Sequence, residues 1–470
     1  MQLVKSIIPK KTNTLQQLLT GIKGWQTSFI GFLFFLSSPA FSQDNSPYSR
    51  YGIGDLVPPT NILNRGIGGI SAGFSDFLSI NFNNPASYSA FQTLRELKSN
   101  KLISGRAILD IGVDFESRTL QETSPVRKFV ANNALFSYVQ VGMPLKTNWG
   151  LSFGLRPVSR ISYKIIRSER LKDPITQLPI DSAITQFNGD GGSYLASLGT
   201  GYKIRNFSIG FNVGYLFGKK DYEVRRSLIN DTVDYLQANY ETKTTFGNIS
   251  LNLGAQYKLE LNKKISMTLG AFGNWGQKLN ASKDIIRETF FYDANAGNTR
   301  LDSVSEQRNI KGKIIYPASF TIGFVTEKAP QAKEANWLFG LDFTRQSWNN
   351  YRVYGQSDSV QNNWELRVGG QLRPVPKKSY WSNVAYRAGF FAGPDYIKVN
   401  EKISRFGISF GMGLPVANYN RLSQGQATII NLAIEYSKRG NNNNLLKENM
   451  VRVSLGFSLS DFWFVKRKYE

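Results

Sequence analysis

The sequence predicts an all-β protein, a transmembrane antiparallel β-barrel of about fourteen strands with an N-terminal segment folded into its lumen as a plug. Three observations predict it. Apolar residues recur at every second position over stretches of about ten residues, the length a tilted strand needs to cross a bilayer. A leader of the export type precedes them. No apolar run reaches the ~18 residues that would mark a membrane-spanning helix.

Residues 1–42 read as the leader. Lys5, Lys10, Lys11 and Lys23 precede the apolar run "FIGFLFFL" at 29–36. Ala40 and Ser42 then supply the small residues that signal peptidase needs. The lysine-bearing region is long, which leaves the start codon open. The mature chain is expected to begin near Gln43, and no cysteine follows that could carry a lipid.

Residues 43–103 do not alternate. "SPYSRYGIGDLVPP" is rich in turn formers, with Gly52, Gly54, Pro58 and Pro59 interrupting any element. The next stretch, "NRGIGGISAGFSDFLSINFNNPASYSAF", has few charges and many apolar side chains, among them Ile67, Ile70, Phe74, Ile80, Phe82 and Tyr88. A disordered tail has the opposite composition. The lumen of a fourteen-stranded barrel is too wide for its own side chains to fill. A plug made of this segment satisfies both requirements.

Residues 104–470 carry the alternation. Phe207, Ile209, Phe211, Val213, Tyr215 and Phe217 oppose Ser208, Gly210, Asn212 and Gly214. Val451, Val453, Leu455, Phe457 and Leu459 oppose Arg452, Ser454, Gly456 and Ser458. The polar face is small and neutral, as a crowded lumen requires. Soluble sandwiches alternate too, but their strands average ~5–6 residues. Strands are expected to start near Ser104, Phe129, Asn148, Ser193, Phe207, Asn239, Ile265, Lys311, Asn336, Trp364, Asn383, Ile403, Gln426 and Met450. Short connections, "LKTN", "RN" and "ELNKK", alternate with long ones at 165–192, 228–238 and 290–307. Short turns face the periplasm and long loops face outside. An even strand count places both ends of the barrel on the periplasmic side.

The composition excludes several functions. With neither cysteine nor histidine, the chain holds no disulfide, no thiolate zinc site and no Ser-His-Asp triad. No catalytic residue, metal site or cofactor is expected, and the chain is not expected to be an enzyme. The net charge of +23 is spread along the chain without a nucleic-acid motif. It suits an anionic membrane surface instead, so outer-membrane lipid and lipopolysaccharide are the expected surroundings and nucleic acid is not an expected partner.

The plug segment is also where a family resemblance enters. Arg65-Gly66-x-Gly68-Gly69, then Ala72, Asp76 and Asn84-Pro85-Ala86, resembles the N-terminal hatch of the FadL family of outer-membrane transporters of hydrophobic compounds. "YPASFTIGF", "LDFTRQSWNNY", "WELRVGGQLRP", "YRAGFFAGP", "FGISFGMGLPV" and "INLAIEYS" follow in the order that family shows. The "SPYSRYGIGDL" prelude and the Lys-Arg-Lys ending look more like outer-membrane proteins of the Bacteroidota, whose related barrels include secretion-system subunits. The resemblance implies passive uptake of a hydrophobic compound past a hatch at Arg65, Gly66, Gly68, Gly69, Asn84, Pro85 and Ala86. By strand parity Arg156, Lys258 and Arg452 face inward. They either attract an anion or balance inward carboxylates such as Glu435.

A second function class competes. The alternative is a non-transporting subunit of an outer-membrane assembly or secretion complex, with loops and prelude as docking surfaces for other envelope proteins. A transporter predicts an apolar cleft from the loops to the hatch. A docking barrel predicts a sealed lumen.

Overall fold

The computed structural model describes residues 46–95, 102–123, 125–230, 235–293, 297–328, 334–416 and 426–463. The leader at 1–42 and the Lys-Arg-Lys ending lie outside these residues.

Two short strands belong to the N-terminal segment, β1 (Asp55–Leu56) and β2 (Thr93–Arg95). The wall follows as β3 (Leu102–Glu122), β4 (Lys128–Lys146), β5 (Trp149–Lys172), β6 (Pro179–Ile204), β7 (Phe207–Ile229) and β8 (Gln237–Glu260). It continues through β9 (Ile265–Asn274), β10 (Gln277–Asp293), β11 (Gly297–Tyr316), β12 (Ser319–Lys328), β13 (Asn336–Gln346) and β14 (Arg352–Val353). It ends with β15 (Asn363–Arg373), β16 (Ala385–Val399), β17 (Glu401–Val416), β18 (Ala427–Arg439) and β19 (Leu446–Trp463). Neighbours pair antiparallel, and β19 returns to β3 over Leu446↔Glu122 to Trp463↔Gly105, which closes the barrel.

Two wall strands are broken in the middle. β8 pairs with β9 through its second half and with β10 through its first half. β9 and β10 are therefore one strand interrupted at 275–276. Pro317 interrupts the next in the same way, between β11 and β12, since proline has no N–H to give the ladder. With these joined, and β14 a short outer addition, the wall has fourteen strands. Among the described residues, no helix is long and apolar enough to cross a membrane.

The alternation has its expected meaning. Phe207, Ile209, Phe211, Val213, Tyr215 and Phe217 are each 38–51% exposed, while Ser208 and Asn212 on the other face are 7% exposed. The apolar side chains face lipid and the small polar ones pack against the plug. At the short-turn end, Asn148 and Arg205 take the left-handed conformation (φ 65° and 54°) that two-residue hairpins need.

Two expected starts are corrected. β6 begins at Pro179 rather than near Ser193, and β11 begins at Gly297 rather than near Lys311. Most of 165–192 and the described residues 290–293 and 297–307 are strand arms of long hairpins, not loops. Strand pairing continues above the membrane, and along β11 water reaches both faces. Residues 301–309, for instance, are all exposed, so no apolar alternation marks them as strand.

The N-terminal segment threads the lumen. Residues 46–57 sit at the outer mouth, where Tyr48 donates from its hydroxyl to the Leu446 carbonyl, 2.7 Å, and β1 pairs with β5 through Asp55↔Arg160 and Leu56↔Ser159. The chain then descends through a one-turn helix, Ile62–Gly66, and a 3-10 turn, Pro85–Ala90, before β2 joins the base of β3. The prelude is thus packed inside rather than presented as an exposed docking surface. Its residues Tyr48, Ile53 and Val57 are buried.

Candidate functional site

The N-terminal segment is fastened to the wall at two levels with a cavity between them. The deeper level is the hatch. Asn61 caps its helix by accepting from the Asn64 N–H at 2.9 Å. That helix presents Arg65, which is 4% exposed, to the wall. Its guanidinium donates from Nη1 to both oxygens of Asp114, 2.7 and 2.8 Å. Nη2 donates to Ser137 Oγ at 2.7 Å and Nε to the Thr60 carbonyl at 3.0 Å. One side chain thus ties hatch, prelude, β3 and β4 together. Charge-assisted bonds to Asp114 together with bonds from the other two guanidinium nitrogens fix orientation as well as distance.

The glycines answer to backbone contact with the wall. Gly68 has φ +74°, and a Cβ there would stand 2.9 Å from the Val368 carbonyl oxygen. Its N–H donates to Ser409 Oγ at 3.0 Å. Gly66 lies against Gly411 of β17, so a side chain on either would push the two backbones apart. Gly69 donates to the Asn64 carbonyl at 2.7 Å. Asn84 accepts from the Ala86 N–H at 3.1 Å and donates to the Ala72 carbonyl at 2.7 Å. Pro85 and Ala86 lie on Gly210 of β7. Hatch and wall glycines are therefore complementary.

Several clamps come from wall residues that the sequence did not single out. Asp342 of β13 accepts from the N–H groups of Ser71 and Ala72 at 2.7 and 2.9 Å. Asp110 of β3 accepts from Ser79 Oγ at 2.9 Å and from the Tyr138 hydroxyl at 3.1 Å. Gln256 and Asn252 of β8 donate to the Ala72 and Asn83 carbonyls, 2.9 and 2.8 Å. All occupy the inward parity of their strands. That parity was the available signal, but it cannot say which inward residue meets the plug.

The upper level is the mouth. Asp55 pairs with Arg118 at 2.7 Å and Arg439 at 3.0 Å. Glu448 joins both guanidiniums at 3.1 and 3.4 Å, and Asp395 holds Arg439 at 2.8 Å. Burial alone would raise the Asp55 carboxyl; Arg118 and then Arg439 outweigh it and hold it well below the usual carboxylate range. Burial pushes the Tyr48 hydroxyl up to about 12. Around these charges an aromatic cover forms. Trp348 stacks near Tyr396 with ring centres 4.2 Å apart, and Tyr351 donates to the Gly52 carbonyl at 2.9 Å.

Between the levels lies a cavity of about 230 Å³, lined among others by Asp55, Arg156, Glu365, Arg367, Arg405 and Glu435. Arg156 stands over the Phe82 ring, 5.4 Å from its centre, and has no ion pair among the described residues. Arg452 instead bridges Glu116 and Glu435 at 2.8 and 2.9 Å, both pairs buried. Lys258 stands apart, half-exposed on the periplasmic half of β8, 3.8 Å from Glu327. Of the four expected luminal charges, Arg156 and Glu435 thus line the cavity, Arg452 is the buried partner of Glu435, and Lys258 lies away from both. The cavity carries both signs of charge beside apolar walls from Leu56, Val57, Phe82, Val158, Leu195 and Phe391. Among the described residues, no cluster of His, Cys, Asp or Glu could hold a metal ion.

A closed wall with apolar side chains outside and an ordered plug inside defines a plugged transmembrane β-barrel of the outer-membrane type. More specifically, the chain belongs to the BamG family, whose model matches residues 24–470. Solved structures similar to it include the Pseudomonas putida toluene transporter TodX, at 14% identity over 87% of this chain and 99% of that one, TM-score 0.48. Others are a Pseudomonas aeruginosa FadL homologue, at 12% identity over 88% and 100%, TM-score 0.48, and the Ralstonia pickettii toluene transporter TbuX, at 10% over 85% and 97%, TM-score 0.44. No curated protein matches the sequence.

Proposed function

We propose that this barrel is a closed docking subunit of the outer membrane, exported by removal of residues 1–42 and surrounded by lipid and lipopolysaccharide. The observation that carries this reading is the double fastening of the N-terminal segment to the wall. Arg65–Asp114 locks the hatch, and the Asp55–Arg118–Arg439–Glu448 cluster locks the mouth. Buried ion pairs of this kind cost several kcal/mol to break from one side, which suits a part that stays in place. The cavity between holds buried groups of both charges, so an apolar solute entering it meets polar groups as well as apolar wall. Meanwhile the long hairpins of β5–β8 and β10–β11 extend past the ~10 residues a crossing needs. They supply surface for partner envelope proteins.

Pull-down from gently solubilised membranes tests it. The expected result is a fixed set of envelope proteins at constant stoichiometry, with no ion conductance from the purified chain in planar bilayers. A chain that purifies alone and carries a hydrophobic solute across the bilayer would overturn it.

A second reading is favoured by one observation. The cavity borders the hatch directly, at Gly68, Gly69 and Phe82. Displacing the hatch would therefore join cavity and periplasm, a route for passive uptake of a hydrophobic compound such as those named for the channels above. In that reading Arg65, Gly66, Gly68, Gly69, Asn84, Pro85 and Ala86 form the gate.

A further inference from the structure

The wall is not equally paired along its height. β5 pairs with β6 through to Lys172, but with β4 only between Trp149 and Leu155. Beyond that point the β4 side of β5 is taken by the prelude. Val57 donates to the Val158 carbonyl at 3.0 Å, and β1 pairs antiparallel at Ser159 and Arg160. Ser49 Oγ then accepts from the Ser162 N–H and donates to the Ser162 carbonyl, each at 3.2 Å. Past Ser162, no strand among the described residues pairs with this side of β5. β4 is in the same position from Lys128 to Tyr138, where only β3 pairs with it. Two open strand edges therefore flank one slot, and the prelude ends at its apex.

An open edge presents alternating N–H and C=O groups that another strand can pair with. Natural edges are blunted by charge, and here the charge has one sign. Lys164, Arg167, Arg170 and Lys172 are exposed along the open stretch, Arg167 to 72% of its side chain. The one carboxylate, Glu169, is already engaged by Arg167 at 3.4 Å and Arg226 at 3.1 Å. Strand alternation puts Lys164, Ile166, Arg170 and Lys172 on one face, with Ile166 58% exposed. Across the slot, Phe129 and Val130 are 51% and 62% exposed.

We propose that residues 163–172 of β5 are a docking edge for an extended acidic segment of a partner polypeptide, added as an antiparallel strand where the prelude leaves off. This rests on the docking reading above and names the chemistry of one partner. Acidic residues at alternate positions of the segment lie on the face of Lys164, Arg170 and Lys172. An anionic lipid headgroup would satisfy the cations but leave the backbone groups of the edge unpaired, so the open ladder selects a polypeptide.

The test uses the purified full-length chain in detergent and a fluorescent alternating Glu-Val decapeptide. Controls are the Lys-Val counterpart, the acidic peptide with a central proline, and lipopolysaccharide as competitor. The acidic peptide is expected to bind at least tenfold more tightly than either control peptide. A Lys164→Glu/Arg170→Glu/Lys172→Glu variant is expected to lose at least tenfold in affinity while keeping the heat-modifiable gel mobility of a folded barrel. Equal binding of the proline peptide overturns strand addition, and binding of lipopolysaccharide alone overturns the polypeptide assignment. The same variant separates this inference from the docking reading. If the native chain pulls down no partner, the reading fails. If native and variant chains pull down the same partners with equal yield, the reading stands and the edge assignment fails.

Discussion

Replacing Arg65 by alanine should release the hatch. The guanidinium makes five hydrogen bonds that nothing else in the hatch duplicates, two to Asp114, one to Ser137 and one each to the Thr60 and Pro58 carbonyls. Asp114 is fully buried and would be left without this partner. Breaking a buried pair from one side costs about 3–5 kcal/mol. At about 1.4 kcal/mol per decade, the displaced hatch should gain roughly two to three and a half decades in population. Two assays report it. Limited proteolysis from the periplasmic side should cut the segment 60–91 far faster, and planar-bilayer recordings should show openings that the native chain lacks. The Arg65→Ala/Asp114→Ala double variant provides the decisive comparison. It leaves no buried unpaired charge, so its loss should be smaller than the sum of the two single losses. Native-like protection in Arg65→Ala, or strictly additive losses, would refute the claim that this pair locks the hatch.

Four further outcomes follow from the same geometry. Gly68→Ala places a Cβ against the Val368 carbonyl at a positive φ, and should cost about 1–3 kcal/mol, read as earlier loss of the folded gel band on heating. Asp342→Ala withdraws the acceptor from the Ser71 and Ala72 N–H groups and should cost about 1–3 kcal/mol by the same measurement. Arg156→Ala removes no ion pair, and should leave thermal stability within about 1 kcal/mol of the native chain. The mouth should resist acid. Asp55 has a lowered pKa in the folded chain, so its contribution is fully present above the unfolded value of about 3.9 and is lost only as pH falls through the lower folded value. Proteolytic protection of residues 46–57 should hold from neutral pH to below pH ~4, and Asp55→Asn should already be unprotected at pH ~7, where the native carboxylate is charged.

The parts of this molecule that the sequence reveals are those with unlike faces. β7 contrasts Phe211 against Asn212, so its existence, direction and lipid face can all be read directly. The hatch is legible for a related reason. Ile67, Ile70 and Phe74 need burial, but no strand period accommodates them. The outer arm of β11 is not legible because water wets both faces, and a strand without contrast reads as a loop; the arm of β6 is half-buried along 181–188 and lacks the same contrast. The clamps are partly legible. Parity turns Asp110, Asp114 and Asp342 inward, yet their partners lie 31, 49 and 270 residues or more away in sequence. Periodicity specifies the face of a residue and leaves its partner across the lumen undetermined.

The use of charge inside this lumen bears on why the plug sits where it does. An apolar plug against an apolar wall could slide, because dispersion contacts are nearly indifferent to register. Here each level is indexed. The Arg65 guanidinium reaches Asp114 and Ser137 together only in one position, and Asp342 accepts the N–H groups of Ser71 and Ala72 together only in one register. Gly68 and Gly389 bring hatch and wall backbones together, so shifting the hatch by one residue would drive a side chain into β16. Buried pairs add little net stability compared with well-packed apolar residues. Their repetition at both levels is therefore better explained by registration than by strength. A registered plug also holds β1 against β5 at Ser159 and Arg160. That contact occupies the lowest rungs of the open edge and leaves the basic rungs above it accessible. Displacing the hatch should therefore loosen the prelude as well and lengthen the open edge downward. Arg65→Ala is accordingly expected to raise, not lower, the affinity of the acidic peptide for β5. A measured decrease would mean that the prelude positions the edge instead of competing for it.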